Sequence, residues 1–147
     1  MSELCGLELT DVDLDRELAS VTGKGSRPRV VPFGPKTAQD VDRYLRVRAL
    51  HPHARPTRLL LGRRGPMTPD GARNVLHTRD AQAGVTDVYP HRFRHTFARR
   101  WLAGGGQERD LMVLAGWRSD DMLPGTPPPP RSSAHDAHRR LGVGDRP

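Results

Sequence analysis

His91 and Arg94 are the residues whose types and spacing best suit chemistry on an anion. Three positions apart on a helix, their side chains share one face. Arginine binds oxygen atoms through a planar fork of N–H donors, and histidine can transfer a proton near neutral pH. Aromatic residues at helical spacing would hold this segment against a core: Phe93, Phe97 and Trp101. The pattern favours a phosphate site on a rigid helix.

Pro90 places His91 and Arg94 in the first turn of this helix, where free backbone N–H groups already favour an anion. His91 and His95 are also spaced as two helical metal ligands would be. No acidic or cysteine partner has a matching spacing, so we expect no metal and no other cofactor.

Two further residues have both a structural and a chemical interpretation. Lys24 stands at a glycine-flanked turn, either as a solvated residue or as a cation lying along a DNA groove. Trp117 follows Gly116 at a helix end, either packed in a core or donating its indole N–H to a phosphate.

The elements that position these residues predict an α+β fold that is mainly α-helical. Residues 17–22 and 27–32 indicate a β-hairpin, and Pro28 restricts the second strand to a sheet edge. Apolar periodicity and capping residues, such as Thr68 before Pro69, predict helices at 2–9, 37–47, 69–78, 91–103 and 108–115. We expect one domain over 1–123 and a proline-rich, disordered tail over 124–147, with a short basic helix at 134–141.

Composition restricts the class of protein. The chain has 147 residues and a net charge of +7, which favours an anionic partner such as nucleic acid. The alternative is a solvated basic surface that reflects the codon usage of a GC-rich genome. A single cysteine excludes an internal disulfide framework. The sequence shows no apolar run long enough for a membrane span and no secretory signal, so we expect a cytoplasmic protein.

The chain resembles the catalytic domain of the tyrosine recombinases, the phage integrase family, in four motifs that occur in the same order. They are Ser-Glu-Leu at 2–4, Gly-Lys-Gly at 23–25 with Arg-Val-Val-Pro at 29–32, Pro-His-Arg-Phe-Arg-His-Thr-Phe at 90–97, and Leu-Ala-Gly-Trp at 114–117. The resemblance extends to about residue 123. It implies the family fold, with a small β-hairpin, and site-specific recombination of DNA by integration, excision or resolution. In that chemistry a tyrosine hydroxyl attacks a DNA phosphate, which forms a phosphotyrosyl link and releases a 5′-hydroxyl. The 5′-hydroxyl of a second strand then displaces the tyrosine, and neither step uses a metal or another cofactor.

By this resemblance, Arg94 is the second arginine of a phosphate clamp and His91 the proton-handling group beside it. Lys24 corresponds to the hairpin lysine that protonates the leaving oxygen, and Trp117 to a phosphate donor. Cationic groups aimed at the phosphate stabilise the crowded transition state. We also expect a set of basic residues to contact DNA: Lys24, Arg27, Arg29, Arg92 and His95.

Two members of the family's catalytic set are missing. The first arginine would stand directly before Met1, and the position of the nucleophilic tyrosine, nine residues after Trp117, is Thr126. We therefore expect a truncated catalytic domain, incomplete at its N-terminal edge, that binds double-stranded DNA and cannot cleave it alone. A local frameshift over 124–133 is our hypothesis for the lost tyrosine. The alternatives are a tyrosine donated by another recombinase protomer, a fragment that competes with a full-length recombinase, or a product without function.

Overall fold

The computed structural model describes residues 1–23, 28–86, 88–116 and 131–143. Its longer helices are α2 (Pro35–Ala49), α3 (Pro69–Ala83), α4 (Pro90–Ala103), α5 (Glu108–Ala115) and α6 (Arg131–Leu141), and a short α1 (Ser2–Gly6) opens the chain. A 3-10 helix at Leu9–Asp11 follows α1. The predicted α+β class with a predominance of helix is confirmed. No helix in the described ranges is long and apolar enough to cross a bilayer.

The predicted hairpin is the centre of a three-stranded antiparallel sheet. Strand β2 (Leu18–Thr22) pairs with β3 (Pro28–Pro32) along its whole length, and β1 (Val12–Asp13) pairs with the other edge of β2. Strand β3 is therefore an edge strand, where prolines that cannot donate a ladder hydrogen bond are tolerated. The tip of the hairpin, residues 24–27, lies outside the described residues.

Helix α2 fastens the loop that follows it. The Arg48 guanidinium is buried and donates to the carbonyl oxygens of Leu59 (3.0 Å), Ala54 (3.3 Å) and Pro56 (2.6 Å). Tyr44 Oη donates to the Leu59 carbonyl oxygen at 3.1 Å. The loop leads into a small ribbon of β4 (Leu61–Gly62) and β5 (Gly65–Pro66). Arg48 thus has a structural role that helical periodicity did not indicate.

Helix α3 begins as predicted and ends later than predicted. Thr68 Oγ1 accepts the Gly71 N–H at 3.1 Å, which is the expected N-cap hydrogen bond, and Pro69 is the first helical residue. The helix continues past the predicted end at Thr78 until Gly84, which terminates it at a φ of 62°. Between Thr78 and Gly84 there is no glycine or proline that would break the helix, so the helix ends only at Gly84.

Residues of α4 and α5 form a large part of the main hydrophobic core. Trp101 is fully buried, and its indole N–H donates to the Gln107 carbonyl oxygen at 2.8 Å. The glycine turn at 104–106 allows this contact, because a Cβ on Gly106 would lie 2.3 Å from Trp101 Nε1. Phe97 packs against this core, whereas Phe93 is 56% exposed. The prediction that Phe93 holds α4 against the core is therefore wrong.

Helix α6 completes this core from the C-terminal part of the chain. Ala134, Ala137 and His138 are buried against α5 and β3, and the His138 ring stacks 6.2 Å from that of Phe97. The short basic helix predicted within the tail therefore begins earlier, at Arg131, and one face of it is apolar and buried. The predicted domain boundary after residue 123 lies outside the described residues.

Candidate phosphate-binding cleft

An open cleft of about 970 Å³ lies between α1, the end of β2 and the start of α4. His91 and Arg94 both line it, so the structure brings together the two residues that the sequence selected first. Glu3, Gly23 and Arg58 lie on its other walls. Gly23 directly precedes Lys24 in the sequence.

The start of α4 adds positive charge to its side of the cleft. Tyr89 at the N-cap makes no side-chain capping bond, Pro90 is the first helical residue, and the first turn contains no acidic residue. The helix dipole therefore adds to the charge of Arg94. His91 and Arg94 are both exposed on this turn. An anion is the ligand that this arrangement favours.

Arg94 is anchored at the end of a neighbouring helix. Its Nη1 donates to the carbonyl oxygen of Ala115, the last residue of α5, at 3.2 Å. Such a contact is favourable because the C-terminal carbonyls of a helix attract cations. It orients the guanidinium at the cleft and joins α4 to the residue pair that precedes Trp117.

Glu3 and Arg29 form a bidentate ion pair beside Arg94. Arg29 Nη1 and Nη2 donate to the two carboxylate oxygens of Glu3 at 3.0 and 2.9 Å. The hydrogen bonds from Arg29 are the main reason why the pKa of the Glu3 carboxyl is lowered, against the opposing effect of burial; the charges of Arg29 and Arg94 lower it further. Arg29 is one of the predicted DNA contacts, and in the structure its guanidinium lies against Glu3.

Arg29 also packs against the end of α5. A Cβ on Gly116 would lie 2.9 Å from Arg29 Cζ, and Gly116 has a φ of 67°. Glycine is therefore required at this position both for the backbone conformation and for the approach of the guanidinium. Arg29 thus contacts α1 and the turn before Trp117 at the same time, a role that its position in an Arg-Val-Val-Pro motif did not reveal.

Arg58 is a cleft residue that the sequence did not single out. It belongs to the loop fastened by Arg48, and its Nη1 donates to the carbonyl oxygen of Gly6 at the end of α1. The contact joins residues that are 52 positions apart in the chain. No local pattern could have identified this arginine among the many exposed ones.

Comparison with known proteins identifies the chain. Residues 1–125 match the model of the phage integrase family. This chain belongs to the phage integrase family. It is 42% identical over 120 residues to tyrosine recombinase XerC from Mycobacterium sp. (strain KMS), 38% over 118 residues to XerC from Staphylococcus haemolyticus (strain JCSC1435), and 39% over 122 residues to XerC from Corynebacterium glutamicum.

The alignments cover most of this chain and a smaller part of each relative. They span 79% of the chain and 40% of the two former XerC proteins, and 81% and 39% for the Corynebacterium protein. The crystal structure of XerA recombinase superposes with a TM-score of 0.74 and 27% identity, over 80% of this chain and 44% of that one. Both the family assignment and the fold class expected from the motifs are confirmed.

The structure describes only some of the remaining predicted site residues of this integrase-family chain. Lys24, Arg27, Trp117 and Thr126 lie outside the described residues. The other two predicted DNA contacts are exposed on α4 but are not part of the cleft lining: Arg92 and His95. Among the described residues, no group of three histidine, cysteine, aspartate or glutamate side chains could hold a metal ion.

Proposed function

We propose that this chain binds double-stranded DNA as a tyrosine-recombinase catalytic domain, with one backbone phosphate in the cleft at His91 and Arg94. The observation that supports the proposal most directly is that both residues lie on the first turn of α4 and line the same cleft. The dipole of α4 and the fork of Arg94 both favour a phosphate there. The proposed substrate of the protein is duplex DNA. We propose the cytoplasm as its location because DNA is found there.

In the strand-exchange reaction of such a domain, the phosphorus becomes pentacoordinate and its oxygens gain negative charge. Arg94 would stabilise these oxygens from a fixed position, since its guanidinium is already held by the Ala115 carbonyl. His91 would exchange a proton with the oxygen that attacks or leaves. Lys24 and Trp117, the sequence neighbours of Gly23 and Gly116, would complete the set.

Neither tyrosine of the chain fits the role of the nucleophile. Tyr44 Oη is held by the Leu59 carbonyl and the Leu61 N–H, within the structure of the α2 loop. Tyr89 is the N-cap residue of α4, and the position expected for the nucleophile is Thr126. A threonine hydroxyl is far less acidic than a phenol, which makes it a poor group for both attack and departure. We therefore propose that the chain binds DNA without cleaving it alone.

Two roles are consistent with binding without cleavage. In one, a second recombinase protomer supplies the tyrosine, and this chain supplies the phosphate clamp in a mixed assembly. In the other, the chain is a regulatory DNA-binding protein that occupies the sites of a full-length recombinase. A mixture with an active recombinase distinguishes them, because the first role adds recombination events and the second removes them.

The binding proposal can be tested with a labelled duplex and a mobility-shift assay between 50 and 200 mM salt. Arg94→Gln should reduce the slope of log K against log salt by about 1, as expected for one lost phosphate contact. Arg99→Gln is the matched control, because Arg99 is exposed on the same helix and about 140° around it from Arg94. Absence of a salt-sensitive shift with the unmodified protein would refute the proposal.

The absence of cleavage needs a separate test. A suicide duplex, nicked so that a cleaved fragment diffuses away, traps any covalent protein–DNA link on a denaturing gel. We expect a mobility shift without a trapped adduct. An adduct formed by this chain alone would overturn the non-cleaving assignment and leave the binding proposal intact.

A further inference from the structure

We propose that Arg58 is a second phosphate-binding residue of the cleft, which contacts a phosphate of the same DNA backbone beside the one at His91 and Arg94. This inference rests on the proposed function. It assigns to DNA recognition a residue from the α2–β4 loop, a part of the chain that the catalytic motifs do not include.

Arg58 and Arg94 line the same cleft, together with Glu3 and Gly6 of α1. The Arg58 guanidinium contacts this helix at the Gly6 carbonyl oxygen. The fold therefore brings an arginine of the α2–β4 loop to the cleft that contains Arg94.

The donor groups of Arg58 are largely available for a ligand. A guanidinium has five N–H donors, and within the described part of the chain the side chain of Arg58 makes one hydrogen bond, to Gly6. No carboxylate among the described residues forms an ion pair with it, and the residue is exposed. Arg29 and Arg48 differ in this respect, because Arg29 is paired with Glu3 and Arg48 with backbone carbonyls.

The backbone that presents Arg58 is held on both sides. Arg48 Nη2 donates to the Arg58 carbonyl oxygen at 2.8 Å. The N–H of Leu9 donates to the Thr57 carbonyl at 2.8 Å, and the N–H of Leu59 donates to the Leu7 carbonyl at 2.8 Å. A fixed backbone lowers the conformational entropy that binding would otherwise remove. The loop therefore presents its arginine in a defined place.

The cleft near Arg58 also contains acidic groups. Glu8 and Asp11 line it, and the Asp11 carboxylate accepts the Glu8 N–H at 2.8 Å. This hydrogen bond neutralises no charge, so an anion approaching this end needs a cation to offset the repulsion. Arg58 is the cleft-lining residue that provides one here.

The test measures DNA binding by Arg58→Gln with a fluorescein-labelled duplex, by anisotropy between 50 and 200 mM salt. Loss of one phosphate contact reduces the slope of log K against log salt by about 0.9. The ratio of wild-type to variant affinity should therefore be about 3.5-fold larger at 50 mM than at 200 mM salt. Arg55→Gln is the control, because it removes an exposed arginine of the same loop that does not line the cleft.

A structural role of Arg58 gives a different result. If the arginine serves only to hold Gly6, Arg58→Gln lowers the Tm while the salt slope equals that of Arg55→Gln, and the inference is overturned. Arg58→Lys, which keeps the charge, should restore the slope. Failure of the unmodified protein to bind the duplex refutes the proposed function as well. Binding that depends on Arg94 and not on Arg58 refutes this inference alone.

Discussion

Replacement of Glu3 by glutamine tests the ion pair that joins α1 to the sheet. Glu3→Gln keeps the shape of the side chain and one acceptor oxygen, and it sets an NH2 group against one of the two Arg29 donors. The side chains of Arg29 and Glu3 are 18% and 35% exposed, so the arginine loses its counter-charge in a largely buried position. Hydrogen bonds between charged groups contribute about 1.5–3 kcal/mol, and solvent screening at Glu3 reduces this. We expect a loss of about 1–2 kcal/mol at pH 7.

The effect of Glu3→Gln should depend on pH in a defined direction. The folded-state pKa of Glu3 lies below its ordinary value of 4.5, mainly because of the hydrogen bonds from Arg29. The stabilisation is therefore complete above the unfolded-state pKa and is lost as the pH falls through the folded-state pKa. The difference in free energy of unfolding between the two proteins should be constant from pH 7 to about 5.5 and shrink below 4.5.

Urea unfolding followed by tryptophan fluorescence measures this difference at each pH. Asp40→Asn is the control, because Asp40 forms an exposed ion pair with Arg43, with side chains 73% and 79% exposed. An exposed pair of this kind contributes about 0.5 kcal/mol or less. The reasoning is refuted if both variants lose the same stability at pH 7, or if the loss in Glu3→Gln is undiminished at acid pH.

Three further changes test how the site is supported, each by urea unfolding. Gly106→Ala forces a methyl group onto the Trp101 indole and should lower the free energy of unfolding by about 3 kcal/mol. Gly105→Ala has open space at a φ of 82° and should lower it by about 1 kcal/mol. Equal losses in the two variants would contradict the clash. Arg48→Leu removes the donors that hold the loop of Arg58 and should cost about 3 kcal/mol, and it should also lower DNA affinity. Thr68→Ala removes an N-cap and should cost about 1 kcal/mol with DNA binding unchanged.

Local chemistry made several elements predictable from the residues alone. A threonine before a proline marked the start of α3, Pro90 marked that of α4, and Gly104 marked the end of α4. The hairpin strands and the edge position of Pro28 followed from the same kind of signal. These features depend on hydrogen bonds and backbone angles within a few residues, so the sequence nearby is sufficient to specify them.

The pairing of His91 with Arg94 was also predictable, because both residues lie on one helix turn. The common cleft that they share with Glu3 and Arg58 was not. Its walls come from α1, β2 and the α2–β4 loop, and no periodicity relates those segments.

The sequence by itself therefore determined where α3 and α4 begin, which segments form the hairpin, which family the chain resembles and which helix turn suits a phosphate. The tertiary structure decided the partner of each arginine. Three arginines show this. Arg29 forms an ion pair with Glu3, Arg48 is buried and holds a loop through backbone carbonyls, and Arg58 is exposed in the cleft. The physical reason is that a guanidinium binds whichever acceptors the fold brings within about 3 Å, and acceptors distant in the sequence are defined only once the chain has packed.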